Sequence, residues 1–196
     1  MDFINKIKEQ AKKEIKSIIL PETEDVRILK ATEIIKKEGF AKVILLGKEE
    51  DIKILAKKNN IDIEGSEIID PGKSPKLEEY TKAFYELRKA KGMTEEIARK
   101  TLIENSRYFA SMMVKQNDAD GFVSGASHPT SDTLKPVLQI IKGKPGVKTV
   151  SAFFIMSLKD KEFGEDGVFI YADSGLNENP SEEQLADIAI SSSESF

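Results

Sequence analysis

The sequence predicts an α/β fold: a mainly parallel sheet held between two layers of helices. Three observations predict it. Short apolar runs of strand length recur along the chain, and they are continuous, as strands buried on both faces are. Between them lie stretches with apolar residues at helical spacing. The two kinds alternate, and strands joined by helices pair in parallel through right-handed crossovers.

Residues 17–20, closed by Pro21, read as the first strand. Thr23 is placed to cap the next helix, Glu24 and Asp25 suit the positive end of its dipole, and Ile28, Ala31 and Ile35 share one face before Gly39 ends it. Residues 42–47 read as a second strand and 49–58 as a helix carrying Ile52, Leu55 and Ala56. A third strand at 67–70 precedes a helix at 77–89, with Tyr80, Phe84 and Leu87 along one side. Gly92 breaks that helix, and Thr94 with Glu95 and Glu96 opens another. Residues 106–115 are helical, 121–125 hold a short buried strand, and a helix follows over 131–141.

After Gly146 the pattern changes. Residues 147–156 and 168–172 are strand-like, parted by the charged turn at 159–162, and Pro180 with Ser181 starts a helix with Leu185, Ile188 and Ala189 on its apolar face. The expected division is an α/β domain over 1–146 and the beginning of a second, incomplete α/β domain over 147–196. The second stretch is too short to bury a core of its own, since domains of roughly 60 residues are already marginal.

Composition narrows the function classes. Charged residues make up 33% of the chain, yet the net charge is only -4, because 30 Lys and Arg nearly balance 34 Asp and Glu, and the two signs alternate along the chain. No basic block offers itself to nucleic acid. With no cysteine there is no disulfide, thiolate nucleophile or zinc-cysteine site, which agrees with a reducing compartment, and the cytoplasm is the expectation. No signal peptide is read at the N-terminus, no apolar run approaches the roughly 20 residues that span a bilayer, and no His or carboxylate spacing matches a metal site.

Ligands of open parallel sheets bind beyond the carboxyl ends of the strands. Three loops qualify: 21–25, 124–132 and 173–177. In the second, Gly125 permits close backbone approach, and Ser124, Ser127, Thr130 and Ser131 set hydroxyls ahead of a helix N-terminus. Such an arrangement suits an anion such as phosphate; the same residues also serve as caps and turn formers. His128, the only histidine, reads as a solvated loop residue beside Pro129. Arg88 and Lys135 are cations open to two readings, a phosphate contact or a solvated face.

Three stretches carry a resemblance. They are Leu20-Pro-Glu-Thr-Glu-Asp-Val-Arg27, Tyr85-Glu-Leu-Arg-Lys-Ala-Lys-Gly92 and, most diagnostic, Asp120-Gly-Phe-Val-Ser-Gly-Ala-Ser-His-Pro-Thr-Ser-Asp-Thr-Leu-Lys-Pro136. With Ser151-Ala-Phe-Phe-Ile-Met156, Ala172-Asp-Ser-Gly175 and Gln184-Leu-Ala-Asp-Ile-Ala189 following in order, the chain resembles the N-terminal portion of the phosphotransacetylases.

The resemblance implies acetyl transfer between coenzyme A and phosphate, in which the coenzyme's thiolate attacks acetyl phosphate within a ternary complex. It assigns Arg88 to coenzyme A and Ser127, Thr130 and Ser131 to the acyl phosphate. Lys135 stands where the family usually has Arg, and Asp173 and Ser174 belong near the cleft. Acetyl-CoA is a substrate, with no tightly bound cofactor or metal, and a homodimer is expected. The family's base and transition-state residues lie beyond the position of Phe196, so these residues alone are expected to show little or no transferase activity. Phosphate butyryltransferase and a non-catalytic phosphate- or nucleotide-binding fragment or subunit are the alternatives.

Overall fold

A computed structural model describes residues 3–196. Residues 7–142 form one compact unit; residues 143–196, with the chain's first described residues 3–6, form another.

The first helix, α1 (Phe3–Ala11), lies in a stretch for which the periodicity gave no element. It leads to β1 (Lys16–Leu20), α2 (Val26–Glu38), β2 (Ala41–Leu46), α3 (Glu49–Lys58), β3 (Glu67–Ile69), α4 (Leu77–Arg88), α5 (Glu95–Glu104), α6 (Ser106–Lys115), β4 (Gly121–Phe122) and α7 (Thr130–Ile140). The four strands are all parallel, in the order β3-β2-β1-β4.

Alternation along the strands builds three layers, because successive side chains leave opposite faces of a sheet. Ile19, Ile44 and Leu46 point to one face, where they pack with Leu77, Tyr80 and Phe84 of α4, Leu102 of α5, Phe109 and Met112 of α6 and Ile140 of α7. Leu20, Val43 and Leu45 point to the other and meet Ile28 and Leu29 of α2 with Ile52 and Ala56 of α3. Each central strand is buried on both sides, hence its unbroken Ile, Leu and Val.

Three local expectations change. Thr23 does not cap α2. Its hydroxyl donates to the Leu46 carbonyl at 2.7 Å, and Asp25 is the cap, accepting from the Arg27 N–H. The strand expected at 121–125 shrinks to two residues, because the chain turns away from β1 at Ser124 and Gly125. Finally, α4 stops at Arg88, and a single 3-10 turn, Lys89–Lys91, precedes Gly92.

In the smaller unit β5 (Phe153–Ser157) and β6 (Val168–Ala172) pair antiparallel, and α8 (Glu182–Ser195) follows. The expected strand at 147–156 begins only at Phe153. Along α8 the buried positions are Ile188 and Ser192, while Leu185 and Ala189 are exposed, so the expected apolar stripe is rotated.

Candidate functional site

The strand order contains a reversal. From β1 the chain moves outward through β2 and β3, then returns to place β4 on the other side of β1. The loops after β1 and β4 therefore leave in opposite directions, and this reversal at the carboxyl edge of the sheet is where ligands of such folds bind. The first two loops singled out by sequence, 21–25 and 124–132, are these two.

They are joined by a carboxylate. Glu22 has no exposed surface, and one of its oxygens accepts from the N–H groups of Gly125 at 2.7 Å and Ala126 at 2.8 Å. The other accepts from the Ser127 N–H at 3.2 Å and lies 2.8 Å from His128 Nδ1. Burial pushes the Glu22 carboxyl up, but the hydrogen bonds from Ala126, His128, Ser127 and Gly125 outweigh it and bring its pKa to about 2. Arg27 adds a second tie: it forks onto Asp25 and also donates to the Ala126 carbonyl.

Two sequence expectations are thereby corrected. Within the bend at 124–131 read as suiting an anion, the backbone N–H groups of 125–127 are spent on the chain's own anion, because Glu22 reaches them from a neighbouring loop. His128 is not a solvated loop residue: its ring is half-buried and paired to that anion.

Ser127, His128 and Glu22 carry the residue types of a nucleophilic triad without its geometry. Ser127 Oγ, at 3.1 Å, and Glu22, at 2.8 Å, meet the same ring nitrogen, whereas a triad needs the hydroxyl and the acid on opposite nitrogens. The Ser127 hydroxyl also donates to Glu24 at 2.9 Å. It is not poised as a nucleophile.

What remains open to a ligand is the start of α7. Pro129 stands at its cap position and offers no side-chain acceptor, so the Thr130 and Ser131 N–H groups have no partner among the described residues. Both side chains are exposed, and Lys135, four residues on, shares a helix face with Ser131. Ser127, Thr130, Ser131 and Lys135 are thus brought to one end of one helix. There the dipole favours negative charge.

Arg88 is placed elsewhere, as the last residue of α4. Its Nε is buried without a partner. Burial pushes the Tyr108 hydroxyl up in pKa and the positive charge of Arg88 draws it partly back, which puts that cation beside α6. The same hydroxyl donates to Gln139 of α7 at 3.1 Å.

Asp173 and Ser174 belong to the smaller unit. One Asp173 oxygen accepts from the N–H groups of Gly175 at 2.7 Å and Leu176 at 2.9 Å, so this carboxylate shapes its own turn. The Ser174 N–H donates to the Ala152 carbonyl at 2.9 Å.

The family described as phosphate acetyl/butaryl transferase matches residues 2–196. The chain belongs to that family. It is 52% identical over all of its length to a phosphate acetyltransferase of Acetivibrio thermocellus, of which it spans 58%. It is 50% identical, over 98% of its length, to a phosphate acetyltransferase of Thermoanaerobacterium thermosaccharolyticum, again spanning 58%. In three dimensions it is similar to EutD phosphotransacetylase from Staphylococcus aureus, with a TM-score of 0.87 and 39% identity, over 98% of this chain and 56% of that one. The α/β architecture is therefore that of the phosphotransacetylases, over somewhat more than half of their length.

Among the described residues there is no group of three or more His, Asp or Glu side chains able to hold a metal ion, and no helix is long and apolar enough to cross a membrane.

Proposed function

We propose that this chain works in the reversible transfer of an acetyl group between coenzyme A and inorganic phosphate. The observation that carries the reading is 52% identity, sustained over the whole chain, to an enzyme named phosphate acetyltransferase. The chemistry of this edge of the sheet suits it. Thr130, Ser131 and the free N–H groups at the start of α7 hold the phosphoryl oxygens of acetyl phosphate, with Ser127 and Lys135 beside them. Lys135 offers a point charge and no bidentate fork. Arg88, its Nε unspent, takes a phosphate of coenzyme A. Asp173 and Ser174 enter through the family resemblance alone.

The coenzyme's thiolate forms a bond to the acetyl carbonyl carbon, and the phosphate oxygen leaves with its electron pair. A ternary complex supplies proximity, and fixed donors stabilise the oxyanion between the two steps. No enzyme nucleophile is needed, in keeping with a Ser127 hydroxyl that is spent on Glu24. The reading includes a cytoplasmic homodimer without a bound metal. The absence of cysteine supports the compartment; the exposed Phe154, Ile155 and Tyr171 of the β5–β6 pair supply apolar surface for association.

Calorimetry of coenzyme A binding to this chain and to its Arg88→Ala variant tests the assignment. Binding that weakens about tenfold or more in the variant supports it, the size expected from losing a charge-assisted contact. A wild-type chain that binds neither coenzyme A nor acetyl phosphate overturns it. Rates with acetyl and butyryl phosphate, compared on a polypeptide of the relatives' full length, set the acyl preference.

A further inference from the structure

We infer that Arg107 marks an oxyanion site at the carboxyl edge of the sheet, one that takes a phosphate group through a guanidinium the fold has buried without a counter-charge.

Arg107, the second residue of α6, is 7% exposed. Its Nε is buried and unpaired, while its two terminal nitrogens keep some accessible surface and meet no hydrogen-bond or ion-pair partner among the described residues. An arginine stays charged at any ordinary pH, so it cannot relieve burial by losing its proton as a lysine can. Buried charges in folded proteins are paired, and a buried polar group left single calls for an unseen partner.

The position says where that partner sits. α6 leads directly into β4, so its N-terminus lies at the carboxyl edge of the sheet. The Ser106 hydroxyl fixes it there by donating to the Pro21 carbonyl, at the start of the loop after β1, at 2.8 Å. Helical side chains lean toward the helix N-terminus, which carries the Arg107 side chain toward the same edge. Asn105 accepts the Arg107 N–H at 3.1 Å, and the dipole of this ten-residue helix adds to the positive potential.

No carboxylate of this edge pairs with Arg107 among the described residues: Glu24 turns to Ser127 and His128. Glu22 already meets five donors: the N–H groups of Gly125, Ala126 and Ser127, the Ser127 hydroxyl and His128. Two oxygens offer about four lone pairs, so its capacity is spent. Asp25 is engaged by the Arg27 fork. The missing partner is an external anion, and a planar fork suits phosphate or carboxylate. The choice of phosphate rests on the acetyl-transfer reading; the existence of an anion site does not.

Thermal unfolding of the chain is followed against inorganic phosphate, acetyl phosphate and acetate, with sodium chloride matching the ionic strength. A ligand of the folded state raises the midpoint by mass action. The wild type is expected to rise with phosphate and acetyl phosphate. In Arg107→Met, which keeps length and volume but not charge, the rise is lost and the phosphate-free midpoint is no lower than in the wild type. Arg107→Lys keeps the charge without the fork and is expected to weaken apparent phosphate affinity about tenfold; this comparison holds even if the methionine variant does not fold. Equal phosphate responses in wild type and either variant overturn the proposal, as does a wild type indifferent to both phosphate compounds. An Arg107-dependent response to acetate alone overturns the phosphate class. Coenzyme A calorimetry separates the two readings: an Arg107-dependent phosphate response in a chain that does not bind coenzyme A keeps this site and removes the acetyl-transfer assignment.

Discussion

His128 Nδ1 stands 2.8 Å from a carboxylate oxygen of Glu22, a side chain with no exposed surface, and the contact joins the loop after β1 to the turn after β4. With a carboxylate as acceptor, Nδ1 carries the hydrogen and Nε2 is left for another partner. The two loops that frame the switch point are therefore held together by an internal ion. Their spacing does not wait for a ligand.

That ion should show in the acid limb of stability. Glu22 ionises at about 2 in the fold, below its ordinary 4.5. Its contribution is present above the unfolded value and is lost as pH falls from 4.5 toward 2. By proton linkage the full amount is about 3 kcal/mol. Glu22→Gln removes the titration, so its urea-unfolding free energy should lie roughly 2–3 kcal/mol below the wild type near neutrality and converge with it in acid. Parallel pH profiles for the two proteins would show that the charge of Glu22 does not hold the loops.

Gly47 gives a test of the neighbouring strand end. Its φ is +148°, and a Cβ built there would lie 2.7 Å from Thr23 Oγ1 and 3.3 Å from Ile52 Cδ1. The threonine hydroxyl is held in place by its bond to the Leu46 carbonyl, so it cannot retreat without giving that bond up. Gly47→Ala is expected to cost about 2 kcal/mol in chemical denaturation, from backbone strain and overpacking together. In a Thr23→Ala background the cost should fall by about 1 kcal/mol, since the clashing atom is gone. Strict additivity would place the strain in the backbone alone.

The framework was largely legible because central parallel strands announce themselves. The apolar runs at residues 17–20 and 42–47 sit within or across β1 and β2, and α3 and α6 fall where the helical spacing puts them. The hydroxyl-rich turn was found as well, since Gly125 with flanking Ser and Thr is a local signal. Its occupant was not. Glu22 and the N–H groups it accepts are more than a hundred residues apart, and no periodicity reports such a pairing. Arg107 was hidden for a related reason: its helix is buried at every position from 107 to 113, which follows from packing in three dimensions and not from a one-sided stripe.

Phe84 probes the face of the sheet that carries the helices α4 to α7. It has no exposed surface, and its ring centroid lies 5.5 Å from that of Tyr108, whose hydroxyl reaches Gln139. Phe84→Ala should cost about 3–5 kcal/mol, the range for truncating a buried aromatic side chain. Phe84→Leu, which leaves a smaller cavity, should cost roughly half as much. Equilibrium unfolding in urea measures both; a loss under about 1 kcal/mol for the alanine would mean that α4 and α6 close over the gap.

In the smaller unit, α8 depends on its first turn. Only Ile188 and Ser192 are buried along it, so tertiary packing contributes little and the cap carries a larger share of the helix's stability. The Ser181 hydroxyl accepts from the Gln184 N–H at 3.3 Å, and the Gln184 side chain accepts from the Ser181 N–H at 2.9 Å, a reciprocal pair that satisfies two otherwise open donors. Ser181→Ala should weaken the helix by about 1 kcal/mol and speed amide exchange in residues 182–186 roughly fivefold, with exchange in β1 and β2 unchanged. Gln184→Ala should act on the same residues. Because either change breaks the reciprocity, the double variant should lose less than the sum of the two singles. Additive losses would mean that the two hydrogen bonds form independently of each other.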